Sequence, residues 1–231
     1  MAEHVAADPE VAPSARRLAT RARLMEAAAE VFVEEGLQGA SVEAVCSRAG
    51  FTRGAFYSNF ESKEQLFLAL LREEFERRAS DLETKAAALE PVLRERQDCI
   101  RPPEAAQLIL DFFMPANDAT AWAVLEAEFL LLAMRDPSLA PGHTEFLDSF
   151  YTGISGVVEG VIRAAGRRFT LPVERAVPVL AGVYERALRA AAISGADAAG
   201  GGPNELDELG DRLAELLFAL TEETGTEADP A

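Results

Sequence analysis

The stretch Thr52-Arg53-Gly54-Ala55-Phe56-Tyr57-Ser58-Asn59-Phe60 holds the side chains best suited to touch another molecule. Phe56 and Phe60 stand at i and i+4, the spacing of a buried helical face. The face left over, Thr52, Arg53, Gly54, Ala55, Tyr57, Ser58 and Asn59, is small, polar or cationic and contains no acid. That composition suits a nucleic-acid duplex. A guanidinium pairs with guanine O6 and N7, an alanine methyl meets a thymine methyl, and hydroxyls and amides bond phosphate. A glycine inside an exposed helix costs about 1 kcal/mol relative to alanine, which close approach to another surface offsets; a frayed turn at Gly54 is the alternative. Lys63, one of only two lysines, opens the next helix, where its charge and the free backbone N–H groups favour a phosphate, or else it is a solvated side chain. Arg16, Arg17, Arg21 and Arg23 either reach phosphate or the minor groove or form a solvated basic face.

No other chemistry assembles. The sequence has no G-x-S-x-G, P-loop or H-E-x-x-H, and no G-x-G-x-x-G after a strand, so no enzyme is expected. Its histidines are His4 and His143 and its cysteines Cys46 and Cys99, too few for a histidine metal cluster, a four-cysteine zinc site or a disulfide framework. No metal or cofactor is expected. There is no run of about 18 uncharged apolar residues, and the start, MAEHVAADPEVAPSA, is acidic without an apolar core. The expectation is a cytoplasmic protein with no membrane partner.

Ala, Leu, Glu and Arg recur at helical spacing, and alternating β-branched runs are absent, so the chain reads as all-α. Residues 1–13 read as a flexible tail. A helix is expected from Ser14, as N-cap, to Gly36, with Leu24, Ala28, Val31 and Phe32 on one face. Ser41 caps a short helix that Gly50 ends, Thr52 caps another over 53–58, and Ser62-Lys63-Glu64-Gln65 has the form of a capping box. Beyond residue 80 the expected helices are 81–97, 103–114, 118–134, 143–166, 172–194 and 204–221. Breaks are expected at Pro91, Pro115, Pro141 and Gly142. Residues 195–203 are a Gly-rich linker and 222–231 an acidic tail. The domains are 14–62 and 63–221.

Two helices joined by a three-residue turn with Gly50 form the helix-turn-helix pattern. With the helix Arg23-Leu-Met-Glu-Ala-Ala-Ala-Glu-Val-Phe-Val-Glu-Glu-Gly36, then Ala40–Val45, Ala49–Tyr57 and Asn59–Leu66, residues 16 to about 70 resemble the DNA-binding domain of the TetR family of bacterial transcriptional regulators. The family often has His where this chain has Asn59. The resemblance implies that Arg53, Gly54, Ala55 and Ser58 face base edges while Ser41, Thr52, Tyr57, Asn59 and Lys63 hold the backbone. It also implies a homodimer on a double-stranded DNA operator, and a larger C-terminal helical domain whose small-molecule effector relieves repression.

In the C-terminal two-thirds, Leu206, Leu209, Leu213, Leu216 and Leu220 follow 3-4 spacing, and Val177, Ala181, Tyr184 and Leu188 form a second stripe. The two stripes fit a four-helix dimer interface, or burial in one subunit's own core. For the effector, Trp122, Glu126 and Phe129 share one helical face, a carboxylate among aromatics that would attract a cation. Glu126 could instead pair with Arg135 or Arg163. Phe113 and Phe150 are further wall candidates. The net charge of −17 opposes DNA binding at face value, but it is uneven. Residues 14–64 hold seven bases and seven acids, whereas 65–231 hold 15 bases and 29 acids.

Overall fold

Short capped helices build the first part of the chain and long ones the rest. The computed structural model describes residues 15–96, 100–113, 119–194 and 208–224. Ser14, Met114, Pro115, Leu206, Cys99 and the expected linker 195–203 lie outside them, as do residues 1–13 and 225–231. The chain divides into two units, Met1–Leu70 and Leu71–Ala231.

In the first unit α1 (Ala15–Gly39) turns at Gly36, whose φ of 74° is the left-handed conformation expected of a residue closing a helix. Helix α2 (Val42–Ala49) is capped by Ser41, whose side chain accepts from the Ala44 N–H, and ends at Gly50 with φ 72°. Helix α3 (Arg53–Tyr57) is capped by Thr52, which accepts from the Ala55 N–H. Helix α4 (Lys63–Arg94) opens with Ser62 Oγ accepting from the Gln65 N–H while Gln65 Oε1 accepts from the Glu61 N–H, so the reciprocal bond falls one residue early. Leu24, Phe32, Phe56, Phe60 and Phe67 are buried to 1% exposure or less and form the core that fixes these helices.

The second unit holds the remainder of α4, α5 (Pro102–Phe113), α6 (Ala119–Arg135), α7 (Ala140–Ala164), α8 (Val173–Ser194) and α9 (Leu209–Leu220). Helix α4 runs unbroken past residue 80, because 76–90 contains neither Gly nor Pro, and it carries Pro91 within its last turn. Pro141 starts α7 rather than breaking it: at the first positions of a helix a missing N–H costs nothing. Pro178 lies inside α8. A two-stranded antiparallel ladder was not anticipated. Strand β1 (Arg167–Phe169) pairs with β2 (Thr221–Glu223), in the register Arg167 to Glu223 and Arg168 to Glu222. Glu222 and Glu223, expected in the tail, therefore face two arginines, and Arg168 reaches Glu222 at 2.7 Å. Apart from this ladder the described residues are helical, and the fold class stands. Among them no helix is long and apolar enough to cross a membrane.

Candidate nucleic-acid interface and ligand cavity

The two short helices of the first unit are locked by arginines of α1 that close the carbonyl ends of their neighbours. Arg17 donates to Ser58 O, Arg21 to Asn59 O at 3.0 Å and Arg23 to Ala49 O at 3.1 Å. Arg21 also stacks 4.1 Å above the Phe60 ring. Arg48 grips Glu30 and Glu34 at 2.8 and 2.7 Å and ties α2 to α1. The Arg48 guanidinium holds the Glu34 carboxyl below the usual carboxylate range. Three of the arginines read as phosphate contacts, Arg17, Arg21 and Arg23, thus hold the fold, through partners 26 to 41 residues away that no local pattern reveals.

What remains exposed is the face of α3 and its caps. Thr52, Arg53, Gly54 and Tyr57 are exposed and Ala55 half-buried. A Cβ added to Gly54 would meet only Thr52 Oγ1, at 3.7 Å, an ordinary contact. Nothing inside the chain requires glycine there. Arg53 reaches Glu43 Oε1 at 2.6 Å, both side chains lying in solvent, and lies 5.8 Å from the Tyr57 ring centre. Such an exposed pair is weakly held, so the guanidinium is free to exchange partners. Ser41 and Thr52 each spend an oxygen lone pair on a backbone N–H and keep the hydroxyl hydrogen to donate outward.

Three of the expected contact residues spend their donors within the chain, Ser58 while exposed and Asn59 and Lys63 while half-buried. Ser58 Oγ donates to Ala55 O at 2.8 Å. Asn59 Nδ2 donates to Ala55 O at 2.8 Å, and its Oδ1 is buried without a partner; an acceptor is the wrong polarity for phosphate. Lys63 Nζ lies 2.9, 3.2 and 2.9 Å from the carbonyls of Leu37, Gln38 and Ala40, which uses all three donors of an ammonium. Lys63 therefore caps the end of α1.

The second unit holds a partly open cavity of about 480 Å³, within the range of small-molecule sites, and its walls are mostly apolar. Phe113, Glu126 and Phe150 line it, as expected; Trp122 and Phe129 do not. Phe129 is fully buried and stacks on His143, with ring centres 5.6 Å apart. Glu126 faces His143, whose Nε2 lies 3.8 Å from Glu126 Oε1, beyond hydrogen-bond distance, and not Arg135 or Arg163. Tyr151 donates to Glu185 Oε1 at 2.6 Å, and burial pushes its phenol above the usual range. Tyr184 is raised for the same reason.

The two stripes expected to pair subunits face inward. Val177, Leu188, Leu209 and Leu213 are buried within one chain at 6% exposure or less. Ala181, Tyr184 and Leu188 line the cavity, and Leu216 and Leu220 pack beside Leu209 and Leu213. The 3-4 spacing marks a buried face and does not say whose surface buries it. The exposed large apolar side chains of this unit include Val124, Leu131 and Met134 on α6 and Val179 and Ile193 on α8, helices that pack on each other.

The model of bacterial regulatory proteins of the tetR family matches residues 24–70. Over 58 residues the chain is 40% identical to the HTH-type transcriptional regulator UidR of Escherichia coli K12, covering 25% of this chain and 30% of that protein. Over 59 residues it is 42% identical to the HTH-type transcriptional repressor AcnR of Corynebacterium diphtheriae, covering 26% and 31%. The aligned stretches thus span less than a third of these relatives. Along most of its length the fold resembles a putative TetR-family regulator from Mesorhizobium loti, with TM-score 0.64, 18% identity and coverage of 90% and 99% of the two chains. It also resembles a transcriptional regulator from Rhodococcus sp. Rha1, with TM-score 0.55, 27% identity and coverage of 86% and 96%. Residues 24–70 thus match the helix-turn-helix domain of the tetR family of bacterial regulatory proteins, and the larger helical domain that follows has the fold seen in TetR-family structures.

Proposed function

We propose that the protein is a cytoplasmic, non-enzymatic repressor of transcription that binds a near-palindromic DNA operator as a homodimer and releases it when a small molecule enters the second-unit cavity. The observation that carries the DNA reading is Gly54. It sits at the centre of an exposed, acid-free helical face, and the chain itself leaves room there for a side chain. Close approach to a duplex gives that glycine a purpose. Arg53 reads a base edge after leaving Glu43, Ala55 meets a base, and Ser41, Thr52 and Tyr57 fix the backbone.

A single α3 is too small a reader, and two of them one helical turn of DNA apart, roughly 34–36 Å, make a two-fold dimer sufficient. The exposed apolar residues of α6 and α8 are the surface proposed for pairing, in place of the inward stripes. Helix α4 belongs to both units, since its first turn holds Lys63 and its later residues, among them Phe75 and Arg78, line the cavity. A ligand that prefers one position of α4 shifts DNA affinity by the difference between its affinities for the two states. The test is footprinting of the full chain on the DNA that flanks its own gene. A protected inverted repeat at low salt is expected, and uniform cleavage there would overturn the reading.

A further inference from the structure

We infer that the cavity takes an apolar molecule that ends in a carboxylate, held by Arg78 and Tyr184. The inference rests on the reading of the cavity as the effector site and adds the chemistry of the effector. Arg78 lines the cavity on α4. Its Nε donates to Glu74 Oε1 at 2.8 Å, but its Nη2 is buried with no hydrogen-bond partner. A guanidinium nitrogen can only donate, so what is missing beside it is an acceptor. Leaving such a donor buried and unpaired is costly unless something else completes it.

Glu74 is 8% exposed and serves two guanidinium groups at once, because Arg77 takes it through Nε at 2.9 Å and Nη2 at 2.8 Å. Asp81 accepts from Arg77 at 2.8 Å, so two carboxylates match the two guanidiniums and what Arg78 lacks is an acceptor rather than a counter-charge. Tyr184 also lines the cavity, close enough for the charge of Arg78 to act on its phenol, and its hydroxyl has no hydrogen-bond partner among the described residues. Arg78 and Tyr184 therefore both bring hydrogen-bond donors to a cavity whose walls are mainly hydrocarbon. A carboxylate supplies acceptors, and a guanidinium holds it by charge-assisted hydrogen bonds.

The acidic groups that line the cavity differ in how they are held. Glu185 accepts from Tyr151 and lies 3.5 Å from Arg189, and Glu126 faces His143. An organic cation would find Glu185 engaged and only Glu126, 3.8 Å from His143 Nε2, to meet it, whereas an organic acid finds the unused donor of Arg78.

The test is calorimetric titration of the full chain with three ligands sharing one ten-carbon body: decanoate, 1-decanol and decylamine. Decanoate is expected to bind roughly tenfold or more tighter than the other two. Arg78→Gln should lower decanoate to the level of decanol and leave decanol unchanged. Tyr184→Phe should give a smaller drop confined to decanoate, and it decides the matter if Arg78→Gln fails to melt as a folded protein. Decanol or decylamine binding as tightly as decanoate would overturn the inference while leaving the effector site in place. So would undiminished decanoate affinity in a folded Arg78→Gln or in Tyr184→Phe. If none of the three binds, the effector-site reading itself falls, and the inference with it.

Discussion

In the proposed DNA complex Glu43 and a guanine edge would compete for the Arg53 guanidinium. In the free protein Arg53 is on Glu43 at 2.6 Å, and that carboxylate would also repel a nearby phosphate. Glu43→Gln is therefore expected to raise affinity for the operator severalfold, and Arg53→Ala to lower it by on the order of ten- to a hundredfold with discrimination relaxed at one base position, both read by fluorescence anisotropy on labelled duplexes. Gly54→Ala separates two roles. Because the added methyl has room, melting should be unchanged or slightly improved, by up to about 1 kcal/mol, while operator binding weakens. A variant that keeps full DNA affinity would remove the close-approach argument. At this scale the sequence shows whatever is decided within a few residues. Ser41, Gly50 and Thr52 are legible because caps depend on three or four neighbours. Lys63 and Arg21 are not, because their carbonyl partners lie 23 to 38 residues away. The pairing of Glu74 with Arg77 and Arg78 has a visible i, i+3, i+4 spacing, but only the packed structure shows that Arg78 ends in a cavity with a donor unused.

Helix α9 lies so close on α5 that a Cβ at Gly210 would stand 2.7 Å from Leu110 Cγ and 2.8 Å from the Ala106 carbonyl oxygen. The backbone cannot retreat as a side-chain tip would. Gly210→Ala is expected to destabilise the second unit by about 1–3 kcal/mol in denaturant unfolding, and an unchanged midpoint would mean that the two helices are further apart. By contrast Gly160, in a G-x-x-x-G run, meets only the carboxylate tip of Glu90, and Gly156 faces open space. The number and rough extent of the helices follow from periodicity and from Gly and Pro. The exceptions have local causes. Pro141 sits where a helix tolerates proline, Pro91 falls in a last turn, and strands of three residues are too short to show alternation.

For the molecule as a whole, −17 predicts a weak grip on non-specific DNA that moderate salt abolishes, because the acidic excess lies in 65–231 while 14–64 is neutral. In the proposed function specificity comes from two base-reading faces acting together, which would make pairing of chains part of the function. Leu131→Asp is expected to give a folded monomer in sedimentation analysis at concentrations where the parent chain is a dimer, since Leu131 is 51% exposed. Leu213→Asp should instead unfold the second unit, since Leu213 is 3% exposed within one chain. A dimeric Leu131→Asp would move the interface away from α6. The most direct measurement of the central claim is selection of bound fragments from a random duplex pool by the full chain. The account predicts enrichment of two inverted half-sites centred about one helical turn apart. A pool that stays random, or that yields a single half-site without a mate, would contradict it.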